Sequence, residues 1–428
     1  MKRAFFNYTG YGKTKLVLDY IHKHPDIKRV LIISKRDIIR ESWPNEIIKW
    51  SFPFNYTYID GTLSQKKKLE RVYGFYDILG ITPSLLSWFT ENKFFKLTKR
   101  IIKYDMVVFD ESDLFKNSQT QRFKNVKKWI TKIPHVFILT ATPMPNTVED
   151  LWSQIYLIDE PPYRLGKNIT AFRRTYGEEV ITGTRYDYYY LPAAVNAIMD
   201  AIKDICDVNL VKPKDLYPQP KIRVIKIIPD PKTAAILDKL EKDYVVEIEK
   251  EIVSASNYNK VLTKLQQLGN GFIYSEEGKP IYVNDIKFRY VEKQLELSPD
   301  PVLVTYSFIP DKERLLTLPG AKMVESEDEW NANKIKLGVI YSNKAGLNLQ
   351  GSTCKRIIWY TPTWDARAWE QTNSRVIRRG LKEKITIDVL IVKGSIDDLI
   401  FERMKEKLKF MEDTFRPLET PKLIGGTK

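Results

Sequence analysis

The apolar residues of the N-terminal third fall into short unbroken runs separated by amphipathic stretches. Five runs read as strands: 3–8 (RAFFNY), 29–34 (RVLIIS), 76–82 (YDILGIT), 104–112 (YDMVVFDES) and 135–142 (HVFILTAT). Continuous rather than alternating hydrophobicity is the pattern of a strand covered by helices on both faces. Between them, KTKLVLDYIHKH (13–24) and RDIIRESWPNEIIKW (36–50) carry helical spacing, with Pro44 marking a kink or break in the second. Strand–helix alternation predicts a parallel α/β domain over residues 1–158.

The pattern changes over 159–290. Pro and Tyr cluster in DEPPYRLGK and RYDYYYLPAA, and long charged stretches such as KTAAILDKLEKDYVVEIEKEI and NYNKVLTKLQQLGNGF follow. This predicts a mainly helical insertion or linker between or within the α/β parts. Its tyrosines are candidates for base stacking, although core or lid packing explains them as well. The α/β pattern returns over 291–411, with strand candidates at 300–307, 335–342, 354–361 and 384–392. A last helix is expected from Ser395 as N-cap with Asp398 closing a capping box. Ile396, Leu399, Ile400, Met404, Leu408 and Met411 line one face of it. Residues 412–428 read as a tail.

Composition narrows the classes. Of 428 residues 43% are hydrophobic and 29% charged, an ordinary globular balance that fits more than one core. No apolar run approaches the roughly 18–20 residues that span a bilayer, so no membrane association is expected. Two distant cysteines and three histidines offer no metal-ligand spacing and suit a reduced, cytoplasmic protein. The net charge of +15 points to a polyanion partner, nucleic acid first.

Chemistry enters at NYTGYGKTKL (7–16). A phosphate loop reads G-x-x-x-x-G-K-[ST]; here Asn7 holds the first glycine position and the GYGKT core is intact. The preceding strand and following helix are the setting it needs, because Gly10 and Gly12 free backbone N–H groups and the helix N-terminus adds positive charge. Lys13 would reach the β- and γ-phosphates of ATP, and Thr14 would hold Mg²⁺. A second requirement is a carboxylate at the end of a buried strand. MVVFDESD supplies Asp110 for Mg²⁺ and Glu111 to orient and deprotonate water. In the C-terminal half, EQTNSRVIRRG spaces Gln371, Arg375 and Arg378 for one helical face. Arginine's planar, multi-donor head suits a transferring phosphate.

Taken in order, TGYGKT, DESD, LTATPMPN (139–146) and QTNSRVIRR resemble motifs I, II, III and VI of superfamily 2 helicases. LTATPMPNTVEDLWSQIYLID, and the run from VIYSNKAGLNLQ to VKGSIDD, look like the Swi/Snf-related ATPases within them, from Phe5 to about Glu402. The compact form resembles a phage or prophage member, which would place it in a host cytoplasm. The resemblance implies two RecA-like domains with ATP between them, and ATP hydrolysis coupled to movement along DNA, duplex favoured. It assigns Thr140 and Thr142 to the coupling motif and Gly346 to a loop that senses ATP. It makes Arg378 the arginine finger beside Arg375 and Gln371. It places Ser34, Thr82, Thr305 and Ser342 at strand ends that touch the phosphate backbone. Asp113 departs from the family's usual His, and Leu381 from its Gln. Three alternatives stay open: strand separation or branch migration, RNA as the polymer, and a non-catalytic nucleic-acid-binding module on the same fold. Protein partners are not readable.

Overall fold

In the computed structural model the strands that the apolar runs predict are all present. The structure describes residues 1–91, 104–182, 185–210, 218–243, 245–248, 251–254, 258–342, 347–378 and 380–418. The chain forms two compact units, one of Met1–Lys212 with Lys407–Lys428, the other of Pro213–Glu406. Each is built on one parallel sheet, so the fold is α/β with two RecA-like domains.

The first sheet takes β1 (Lys2–Asn7), β2 (Val30–Ile33), β3 (Tyr56–Ile59), β4 (Ile78–Ile81), β5 (Met106–Asp110) and β6 (His135–Thr140). Their order is β3-β4-β2-β5-β6-β1, with Cys206–Asn209 added beside β1, all parallel. β2, β4 and β5 are buried along their whole length, as unbroken apolar runs demand. The core between sheet and helices gathers Leu31, Ile33, Val107, Phe109, Ile138, Leu151 and Ile155. Pro44 does not break its helix. The expected irregularity appears as a π-helical turn at Ile38–Ser42, which runs straight into the helix Trp43–Lys49 with Pro44 in its first turn.

The second sheet runs Lys221–Ile227, Thr386–Val392, Arg356–Trp359, Val302–Tyr306, Leu337–Tyr341, Ala321–Met323, again parallel throughout. Arg223 and Asp388 are register partners on the first two strands, and the guanidinium grips the buried carboxylate at 2.6 and 2.8 Å. That pair helps to fix the register of an edge strand on which Ile222 and Val224 are exposed and Ile225 and Ile227 only half-buried. Gly80 and Gly338 stand mid-strand because an aromatic side chain, Tyr56 and Trp330 respectively, occupies the place of a Cβ.

The structure divides residues 159–290 between the units instead of gathering them in one helical insertion. Cys206–Asn209 completes the first sheet and Lys221–Ile227 starts the second. The helices Ile169–Tyr176, Pro192–Ile202, Pro231–Asp243 and Tyr258–Asn270 alternate with three two-stranded hairpins. Within the Tyr-rich stretch, Tyr190 donates to Glu149 at 2.9 Å and Arg173 lies over the Tyr188 ring at 4.9 Å, leaving Tyr189 exposed. The last helix spans Asp397–Phe415. Ser395 Oγ accepts from the Asp397 N–H, and Asp398 is exposed. Leu399 is also exposed, and Phe401 takes its place in the buried face. The rest of the expected stripe holds, with Ile396, Ile400, Met404 and Met411 buried and Leu408 half-buried. The buried face widens toward Asp397 and Phe401, and Asp397 pairs inside with Lys287 at 2.9 Å. Among the described residues no helix is long and apolar enough to cross a membrane.

Candidate active site

Parallel strands deliver all their C-terminal ends to one edge of a sheet, and loops there collect chemistry. Phe6 pairs with Thr140 and Asp110 with Leu139, so the loop after β1, the end of β5 and the turn after β6 lie on three neighbouring strands. The phosphate loop leaves β1 at Asn7. Gly10 and Gly12 have φ of 87° and 98°, a region that side chains with a Cβ avoid, while open space surrounds both. Backbone conformation, not crowding, therefore requires glycine here. Gly12 caps α1 (Lys13–Lys23), whose first turn holds no acidic residue and receives no side-chain cap. A helix N-terminus without a side-chain cap, directly after a glycine loop, suits a phosphate. Lys13 Nζ donates to the carbonyls of Asn7 at 2.7 Å and Tyr8 at 3.2 Å, and Thr14 is the second residue of α1. Asn7 is itself buried, its Oδ1 accepting from Asn209 at 3.2 Å. A polar residue is tolerated at this position because the added strand supplies a partner.

Asp110 ends β5 and is buried. Trp43 Nε1 donates to its Oδ2 at 3.0 Å. Burial, then the charge of Glu111, raise the Asp110 pKa from 3.8 to about 6, against the pull of Lys13 and the Trp43 donor. A carboxylate so short of solvent is suited to a divalent cation, which repays the lost hydration. Glu111 follows in the left-handed region at φ 58°, a conformation that costs a side-chain-bearing residue about 1–2 kcal/mol. Its Oε2 is buried and has no donor among the described residues, so an acceptor stands ready for a water proton. The open loop, the unshared acceptor and the desolvated carboxylate all fit a magnesium–nucleotide complex.

The turn after β6 is tightly held. Thr140 Oγ1 accepts from the Thr142 N–H at 3.0 Å, and both residues are buried. Thr142 Oγ1 has no partner among the described residues. Ser34 and Thr82 follow β2 and β4. Ser34 Oγ is sealed from solvent and has no partner among the described residues, and Thr82 Oγ1 lies 3.0 Å from Ser84 Oγ.

In the second unit, Gln371 and Arg375 lie on the helix Ala366–Val376, capped by Asp365 Oδ1, which accepts from the N–H groups of Arg367 and Ala368. Both side chains are buried. Arg378 is not on that helical face. Ile377 leaves helical geometry at ψ 90°, so Arg378 falls beyond the end of the helix. Its side chain folds back, donating to Ser374 O at 2.6 Å and Leu347 O at 3.2 Å. Thr305 Oγ1 is sealed from solvent and has no partner among the described residues, and Ser342 Oγ lies 3.3 Å from Ser307 Oγ. Gly346 lies outside the described residues.

Two residues at the carboxylate edge escaped the sequence reading. Trp43 was hidden in an amphipathic stretch; the signal is that a buried indole N–H must find an acceptor. Gln154 sits in the run LWSQIYLI, where a lone amide among apolar residues is the sign of a bridging role.

A model of the SNF2-related domain matches residues 5–270, well over half of the chain. Protein p41 of Acyrthosiphon pisum secondary endosymbiont phage 1 is 23% identical over 436 residues, covering 93% of this chain and 91% of that protein. The Arabidopsis thaliana CHD3-type chromatin-remodeling factor CHR7 is 22% identical over 72% of this chain, which spans only 26% of the plant protein. A solved Sulfolobus solfataricus SWI2/SNF2 ATPase core in complex with dsDNA overlays loosely. Its TM-score is 0.42 at 20% identity, over 96% of this chain and 88% of that one. The matched span carries the phosphate loop, the carboxylate pair and the Thr140–Asn146 turn on one sheet edge, and the chain belongs to the SNF2-related domain family.

Proposed function

We propose that this protein is an ATP-driven motor that hydrolyses ATP to ADP and phosphate and moves along DNA, with duplex as the favoured track. The observation that carries the reading is the shared edge of β1, β5 and β6. There a glycine loop with an open helix N-terminus lies on the same side as a desolvated aspartate and a glutamate with an unshared oxygen. The loop N–H groups and Lys13 bind the phosphates, while Thr14 and Asp110 hold Mg²⁺. When bound, Mg²⁺ neutralises charge on the phosphate oxygens. Glu111 orients a water and accepts its proton, a role its buried Oε2 suits. Gln371, Arg375 and Arg378 stabilise charge on the departing phosphate, the last after leaving its two carbonyl partners. Catalysis of this kind is positioning and charge stabilisation rather than covalent chemistry.

DNA as the partner is supported by the net charge of +15 and by family membership. Contact through Ser34 and Thr305 requires their sealed hydroxyls to be uncovered. The test is phosphate release from ATP alone and with duplex DNA, single-stranded DNA or RNA. Duplex DNA is expected to stimulate the wild type strongly, and Lys13→Ala and Arg378→Ala to abolish turnover. Hydrolysis indifferent to every polymer, or variants that match the wild type, would sink the motor reading. A displaced-strand assay separates translocation from unwinding.

A further inference from the structure

Gln154 lies on the helix Asp150–Tyr156 and is completely buried. A primary amide is costly there unless its oxygen and both N–H groups find partners. All of them do. Oε1 accepts from Ser112 Oγ at 2.8 Å, and Nε2 donates to the carbonyls of Pro143 at 2.7 Å and Asp150 at 2.8 Å. Ser112, also fully buried, is the residue after Glu111, and Pro143 belongs to the turn that follows Thr142. One side chain thus joins the carboxylate loop to the 140–146 turn.

Glu111 is a residue that needs such support. It sits in the left-handed region, which persists at a non-glycine residue only where the surroundings over-determine it. Two bonds within its own loop help, from its N–H to Asp110 Oδ1 at 3.1 Å and from the Leu114 N–H to its carbonyl at 3.0 Å. The Ser112–Gln154 bond ties the next residue to a separate helix. We propose that Gln154 is a positioning residue for Glu111, holding residues 110–113 against the 140–146 turn so that a displacement of Pro143 is passed to the glutamate. The inference rests on the reading of Glu111 as the base in the proposed function.

Two variants cut the bridge at opposite ends. Ser112→Ala deletes one donor, and Gln154→Met removes the amide at nearly constant volume. Two readouts are taken on the full chain: ATP turnover with saturating duplex DNA, and hydrogen exchange of the Leu114 amide. Both variants lose the Ser112–Gln154 bond, and Gln154→Met loses the two bonds to the Pro143 and Asp150 carbonyls as well. Loss of the shared bond predicts that kcat falls about tenfold in Ser112→Ala and at least that much in Gln154→Met, with KM for ATP held within about twofold. The double variant should be no worse than the poorer single one, because both act through one link. Leu114 exchange should accelerate in both, at least as much in Gln154→Met as in Ser112→Ala. Losses that multiply in the double variant overturn the proposal. So do variants that melt earlier while kcat and Leu114 exchange stay at wild-type values. If the wild type does not hydrolyse ATP, the motor reading falls separately. Leu114 exchange then decides the bridge alone, faster exchange in both variants upholding it and unchanged exchange overturning it.

Discussion

Replacing Trp43 with Phe removes one N–H from Asp110 and leaves most of the ring volume in place. The indole donates to the carboxylate at 3.0 Å inside the protein. A hydrogen bond to a charged group contributes about 1.5–3 kcal/mol, equivalent to roughly one to two pH units in a carboxyl's titration. The bond favours the ionised form, so its loss favours the protonated one. The Asp110 pKa, already raised to about 6, should therefore climb to about 7–8 in the variant. If the ionised carboxylate is the form that works, kcat/KM for ATP falls on the acid side of that value. The assay is kcat/KM from about pH 5.5 to 9 for both proteins, which reports groups of the free enzyme. The wild-type acid limb is expected near pH 6, and the variant's one to two pH units higher. The two rates should approach each other at the alkaline end, because the lost ring atoms lower stability without tilting the profile. An acid limb that stays in place, or moves to lower pH, refutes the reasoning.

Three further outcomes are expected. Asp311 is buried, and burial raises its pKa from 3.8 to about 7 against the pull of Lys287, Asn270 and Thr361. A carboxyl raised in the folded state lends stability below its unfolded value that is lost as pH climbs to about 7. Relative to Asp311→Asn, the wild type should thus gain about 2–3 kcal/mol between pH 8 and pH 5, read by hydrogen exchange of the strand Val302–Tyr306. An identical pH trend in both proteins would count against it. Arg223→Leu leaves the fully buried Asp388 with Tyr290 at 3.0 Å and Arg356 at 3.8 Å; urea unfolding should show a loss of about 3 kcal/mol, and a loss under about 1 kcal/mol would mean that the edge strand does not depend on the pair. Duplex binding should weaken with salt by a slope of about −0.9 per neutralised phosphate, equally for unrelated sequences; a marked sequence preference would require base contacts.

Much of the candidate site could be read from the chain because its chemistry is local. GYGKT needs only a strand before it and a helix after it, and Asp110 needs only the apolar run that carries it to a strand end. Arg378 shows where this stops. Its spacing from Arg375 fits a helix, but the helix ends at Val376, and side-chain bonds to Ser374 O and Leu347 O hold the arginine in the following turn. Leu399 is a second case. Helical spacing places it inside, yet it is exposed, while Phe401 and Asp397, the latter paired with Lys287, are buried.

What the sequence determined by itself is the alternation of buried parallel strands with helices, the order of the motifs and the sign of the charge. Each depends on periodicity or on neighbours within a few residues. Tertiary structure alone decided which distant segments complete each sheet. β3 and Lys221–Ile227 are edge strands whose residues are mostly half-buried or exposed, and Cys206–Asn209 is only four residues long. Such segments become strands because a neighbour offers unpaired backbone groups, not because their own residues insist. The same holds for Trp43 and Gln154. A buried polar group takes its meaning from the partner that folding brings to it, and those partners, Asp110, Ser112 and Pro143, lie between 11 and 67 residues away in the chain.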